Sequence, residues 1–162
     1  MAARTEAQAG TEQAARWTVR VAGVDDLDPR TAFDVWRLRQ EVFVVEQECA
    51  YPDLDDRDLE AATRHVVLLD GARVVATARV LDDGAEQRVG RVVCHPDVRG
   101  TGASGALMRA ALDVARAAAP GADVVLGAQS PLTGWYGSFG FVPDGPEYLE
   151  DDIPHTPMRL RR

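Results

Sequence analysis

The fold class predicted here is a mixed α/β sandwich, and three observations predict it. Apolar runs at residues 65–69, 73–81 and 87–94 are separated by tight-turn signals and read as an antiparallel meander. A glycine-rich turn and a long amphipathic helix follow them. A short apolar run, Val124-Val125-Leu126, comes after that helix, so it should lie parallel to the strand before the turn.

The elements follow in chain order. Residues 1–16 are Ala, Gln, Glu, Thr and Gly without apolar periodicity and are expected to be a disordered tail. One folded domain is expected over 17–162. Trp17-Thr18-Val19-Arg20-Val21 alternates and reads as a strand. Residues 24–29 read as an acidic loop. From Thr31 to about Gln47 the pattern is helical, with Phe33, Trp36, Gln40 and Phe43 on one stripe and Val35, Leu38 and Val42 beside it. Glu48 and the acids Asp53, Asp55, Asp56, Asp58 and Glu60 then make a negative loop. It reads either as a solvated segment or as a wall that attracts an ammonium group.

Asp70-Gly71 is a two-residue hairpin signal, and Asp82-Asp83-Gly84 turns the chain again. The long helix carries Leu107, Ala111, Val114, Ala115 and Ala118 on one stripe and stops at Pro120-Gly121. Ser130-Pro131 starts a helix of about two turns that ends at Gly140. Phe141-Val142, Tyr148-Leu149 and Met158-Arg159-Leu160 complete the sheet.

Composition narrows the function. The chain has 162 residues, a net charge of -8 and no lysine, so every basic residue but histidine is arginine. An acidic chain without a basic cluster argues against a nucleic-acid surface. Two cysteines, Cys49 and Cys94, make no disulfide framework and suit a reducing compartment. No apolar run approaches membrane-spanning length and no secretory signal opens the chain, so a cytoplasmic location is expected. No metal is expected.

The chemistry concentrates at Arg99-Gly100-Thr101-Gly102-Ala103-Ser104-Gly105. Glycines let the backbone bend and let a ligand approach it closely. The first N–H groups of the following helix lack partners inside it, and the helix dipole favours an anion there. The segment reads as a phosphate-binding strand–turn–helix, the alternative being an ordinary glycine-rich strand-to-helix turn. Gly100, Gly102 and Gly105 satisfy G-x-G-x-x-G, but residues 95–99 separate the turn from its strand, and the next strand ends in Gly127-Ala128-Gln129 with no acid. The phosphate-loop motif fails for want of a lysine.

Two further segments carry a family resemblance. Arg99 to Ser104 resembles the R/Q-x-x-G-x-G/A loop of the GNAT acetyltransferases, with Ser104 where Gly or Ala is usual. Tyr136-Gly137-Ser138-Phe139-Gly140-Phe141 resembles their Tyr-x-x-x-Gly-Phe signature. Within that superfamily, Arg39 to Tyr51 is similar to the R-x-x-V-F-V-x-E-Q-x-C-x-Y stretch of the ElaA group. Asp55, Asp58, His65, Gln129 and the run from Tyr148 to His155 fall in matching places, with Asp152 standing where glycine is expected.

The resemblance implies a fold, a donor and a set of roles. The fold is a mostly antiparallel sheet of six to seven strands with about four helices, splayed at the donor site. The donor is acetyl-CoA, attacked directly by the amine of a small molecule or a peptide. The residues at 99–105 would hold the pyrophosphate. Val92, Val93 and Cys94 would bond pantetheine through their backbones, with Gln129 nearby. An N–H near Val93 would stabilise the oxyanion. Tyr136 would be the general acid, and Glu46, His65 and His155 are candidate bases from three distant segments. Glu48, Cys49, Tyr51 and Glu150 are candidate substrate-wall residues. Cys94, in an apolar strand, is not expected to form an acyl-enzyme. A CoA-binding sensor without turnover is the alternative, and a homodimer is compatible with the sequence.

Overall fold

The computed structural model describes residues 16–162; the expected tail, apart from Arg16, lies outside them. One sheet forms the centre. Its strands are β1 (Thr18–Ala22), β2 (Arg64–Asp70), β3 (Arg73–Asp82), β4 (Glu86–Cys94), β5 (Asp123–Gln129), β6 (Val142–Pro143), β7 (Tyr148–Glu150) and β8 (Ile153–Leu160). The spatial order is β1-β2-β3-β4-β5-β8-β6, with β7 also paired to β8. The count rises to eight because β6 and β7 are short extra pairings onto β8. The β4–β5 pair is parallel, as a crossover through a helix requires, and the other pairs are antiparallel.

The helices are α1 (Pro29–Arg39), α2 (Ala103–Ala118) and α3 (Thr133–Gly137). Asp28 caps α1 by accepting from the Thr31 N–H at 3.0 Å, and Pro29 sits where a missing N–H costs nothing. α1 and α2 cover opposite faces of the sheet. The period of two in β2 sends Val66 and Leu68 toward α2 and Val67 and Leu69 toward α1. On α2 the buried face is Leu107, Met108, Ala111, Leu112 and Ala115, while Ala118 is exposed in the last turn.

The first helix departs from expectation. α1 passes at Gln40 into a π-helix, Gln40–Glu46, which shifts the phase of every side chain beyond it. The buried face is Thr31, Val35, Leu38 and Arg39 and, past the shift, Val42. Phe33, expected on the buried stripe, is 61% exposed, and Gln40 is exposed as well.

Two irregularities shape the middle of the sheet. β4 carries a bulge against β3: Gly90 and Val93 face Arg79 and Thr77, so three steps of β4 oppose two of β3. Arg91, inside the bulge, has φ of 50°. Beyond it β4 and β5 part company. Their pairing covers only Glu86–Arg88 against Asp123–Val125, after which Leu126 to Gln129 pair with β8 alone.

Candidate active site

A cleft of about 610 Å³ opens where β4 and β5 separate. Val92, Val93 and Cys94 form one wall, and Leu126, Gly127 and Gln129 form the other. Tyr136 of α3 and His155 of β8 complete it, with Arg99 and Ser104 at the end near the glycine turn. The turn has the backbone its glycines predict. Gly100 and Gly102 lie at φ of 75° and 91°, where side-chain-bearing residues are strained. A Cβ on Gly100 would meet nothing within 4 Å, so that glycine serves conformation. Gly102 caps α2 with no side chain over the first amides. Ser104 Oγ lies 3.0 Å from Cys94 Sγ, so its hydroxyl is engaged with β4.

Tyr136 is 7% exposed and stands edge-on to Trp135 at 4.8 Å. Its hydroxyl makes no hydrogen bond to another described residue, although the residue lines the cleft. Burial pushes that hydroxyl up to about 12, so it is protonated at neutral pH. Burial likewise pushes the Cys94 thiol up, only partly opposed by Ser104, which makes it a poor nucleophile.

The three candidate bases do not converge. His155 lines the cleft. Its Nδ1 donates to the Ile153 carbonyl at 2.8 Å, which leaves the lone pair on Nε2. Glu150 Oε2 lies 3.7 Å from that nitrogen, and the Tyr148 ring stacks on the imidazole. His65 is instead 1% exposed and packed edge-on to Trp36, with Nε2 on the Asp58 carbonyl. Burial pushes its pKa down, and it does not reach the cleft. Glu46 gives both oxygens to Arg99, at 2.7 and 3.0 Å, and those bonds hold its carboxyl below the usual range.

The negative loop is solvated in part and turned inward in part. Asp53 and Asp58 are 6% and 4% exposed and grip the buried Arg39 at 2.8 Å each. Arg79 joins Asp58 and Asp55, and Arg91 joins Asp53 at 2.9 Å. The Tyr51 hydroxyl donates to Asp53 at 3.0 Å. Asp53, Asp55 and Asp58 are thus spent on three arginines from α1, β3 and β4, whereas Glu48, Asp56 and Glu60 are exposed. Arg79 Nε is left buried without an acceptor. Cys49, Tyr51 and Glu150 line the cleft as expected of wall residues, and Glu48 does not.

Two contributions escaped sequence reading. Arg79 and Arg91 line the cleft, and the only local signal was Gly90 inside a strand, which marks a bulge. Gly127 gives Tyr148 room: a Cβ there would meet the Tyr148 hydroxyl, and that side chain would have to shift.

Comparison with known proteins decides the family. Residues 26–162 match the acetyltransferase (GNAT) domain model. The chain belongs to the GNAT acetyltransferase family. Among GNAT relatives, it is 45% identical over 138 residues to a UPF0039 protein of Mycobacterium tuberculosis, covering 82% of this chain and 86% of that one. The crystal structure of Escherichia coli ElaA superimposes with a TM-score of 0.84 at 35% identity, over 90% of this chain and 99% of that chain. An acyl-CoA N-acyltransferase from Pseudomonas aeruginosa gives a TM-score of 0.84 at 37% identity, over 88% of this chain and 98% of that chain. The family and these neighbours support a general acyltransferase role on an acyl-CoA donor. No helix among the described residues is long and apolar enough to cross a membrane.

Proposed function

We propose that this GNAT chain transfers an acetyl group from acetyl-CoA to an amine by direct attack in a ternary complex. The observation that carries the reading is Tyr136. A phenol that is 7% exposed and makes no hydrogen bond to another described residue lines the gap between two splayed strands. The ring is held in the core while its hydroxyl has no partner among the described residues, so that hydroxyl is free to meet a ligand atom in the cleft that Tyr136 lines.

The other residues fit the same donor. The amides of Ala103, Ser104 and Gly105 open α2 and suit a diphosphate, with Gly100 and Gly102 clearing the approach and Thr101 between them. Arg99 adds a cation at that end. Val92, Val93 and Cys94 lie past the point where β4 pairs with β5, so an extended pantetheine arm can bond along the strand, with Gln129 facing it from β5. The bulge interrupts the β3–β4 ladder beside Val93, and a Val93 amide freed for the cleft would, as a donor to the oxyanion, contribute about 3 kcal/mol to the barrier.

Two residues manage the protons. Tyr136, protonated at neutral pH, gives its proton to the departing thiolate. His155 takes the proton of the attacking amine on Nε2, and Glu150 beside it stabilises the imidazolium that results. Neither Glu46 nor His65 suits that task, the first bound to Arg99 and the second enclosed in the core. The acceptor is the amine of a small molecule or peptide, approaching past Cys49, Tyr51 and Glu150.

The test is Tyr136→Phe. The variant is expected to lose about 100-fold or more in kcat while still binding CoA. Thermal shifts should show stabilisation by CoA and acetyl-CoA and none by NAD(P). Stabilisation by NAD(P) alone, or full kcat in Tyr136→Phe, overturns the reading. Binding of acetyl-CoA without turnover against a broad amine panel leaves a sensor in its place.

A further inference from the structure

Arg99 is claimed from two directions. It stands at the head of the glycine turn, at the cleft end suited to a diphosphate. Its guanidinium is also engaged by Glu46, with Nη1 on Oε1 at 2.7 Å and Nη2 on Oε2 at 3.0 Å. That two-pronged grip uses the same planar fork that a phosphate would use. Both side chains remain more than two-fifths exposed, at 44% and 43%, so the pair is open to exchange with a ligand.

Glu46 is the last residue of the π-helix, and the chain beyond it bridges the cleft. Gln47 Oε1 accepts from Gln129 Nε2 at 3.2 Å, at the end of β5. Cys49 Sγ donates to the Asp151 carbonyl at 3.6 Å, in the β7–β8 turn. Residues 46–49 are therefore a strap fastened at the glycine turn, at β5 and at the turn on the acceptor side. Glu48 within it has φ of 51°.

We propose that Glu46 is a built-in competitor for the anionic end of the donor. Its carboxylate occupies the face of Arg99 that a diphosphate needs, so donor binding exchanges one anion for another at that guanidinium. Once a diphosphate sits on the α2 amides, Glu46 lies beside a like charge and is driven off. The strap then keeps its fastenings at Gln129 and Asp151 and loses the one at Arg99. Donor arrival is thereby felt at the acceptor wall. The inference rests on the acyl-CoA reading above.

Because exposed ion pairs are weak, the competition is modest. Calorimetric titration of the full chain with CoA tests it. Glu46→Gln is expected to bind CoA about three- to tenfold more tightly than the unsubstituted chain, with the gain shrinking as salt is raised. In an Arg99→Ala background the same substitution should change the affinity by less than about twofold, because the contested cation is gone. Unchanged or weaker binding by Glu46→Gln overturns the inference, since Glu46 would then be orienting Arg99 for the donor. An equal gain with and without Arg99 overturns it too. An unsubstituted chain that fails to bind CoA removes the acyl-CoA reading itself, so the two failures are distinguishable.

Discussion

Two loop walls of the molecule are held by charge, and they are held differently; the first meets the cleft only through its partners Arg79 and Arg91. The Asp53–Asp58 loop is pinned by Arg39, Arg79 and Arg91 through contacts of 2.7 to 3.0 Å, with Arg39 only 1% exposed. The strap at residues 46–49 is fastened by an ion pair that is more than two-fifths exposed and by two neutral contacts. In the first wall each arginine is paired with aspartate inside the protein, with only Arg79 Nε left over, and breaking one contact leaves another charge buried. In the second, water and ligands can replace each contact at little cost. Charge builds a fixed wall where it is buried and an exchangeable one where it is not.

The largest effect should come from breaking the fixed wall. Arg39→Ala strands Asp53 and Asp58 in the interior and is expected to cost about 3–5 kcal/mol in denaturant unfolding. Glu46→Gln should leave the unfolding midpoint nearly unmoved. Equal losses for the two would break the comparison.

Acid should act on the same wall more gently. Burial alone would push the Asp58 carboxyl up, but the hydrogen bonds and charge of Arg39 outweigh it and hold the group at about 2. Its folded pKa lies below its unfolded value, so the stability it contributes is complete above about pH 4. That stability is lost as pH falls toward 2. The loss should be about 2 kcal/mol over that window, read as the difference between urea unfolding at pH 5 and near pH 2. Asp55 shifts the same way: burial pushes it up, and Arg79 more than reverses that. Asp58→Asn should flatten this part of the pH profile.

The contrast also marks what was legible in the sequence. Hairpins at Asp70-Gly71 and Asp82-Asp83-Gly84, the glycine turn and the α3 tyrosine all announce themselves within a few residues. So does the parallel crossover, because a helix between two strands leaves little choice. The fixed wall was illegible because its partners come from three separate elements, and no local pattern distinguishes a solvated aspartate from Asp58 on Arg39. Arg39 is held by acids 14 and 19 residues further on, which nothing in its own helix announces. Phe33 stands ahead of the π-helix and its phase change, and is exposed because the helix face packed on the sheet is the neighbouring one, carrying Val35, Leu38 and Val42. His65 sat in a family-like position, yet only the packing of Trp36 and the Asp58 carbonyl reveals that it is enclosed.

The smallest effect belongs to the exchangeable wall. Asp151 and Asp152 form the two-residue β7–β8 turn, with φ of 49° and 62°, and Glu150 pairs with Ile153 across it. Positive φ at both central positions is the turn geometry that favours Asp-Gly. Glycine is the residue expected at 152, and aspartate there holds a left-handed backbone at some cost. Asp152→Gly relieves that strain while loosening the unfolded chain, so the net gain should be no more than about 1 kcal/mol. The Asp151 carbonyl that receives Cys49 stays in place, so CoA affinity should not change. A destabilised Asp152→Gly chain would mean that the aspartate side chain, rather than the backbone, holds this turn against the strap.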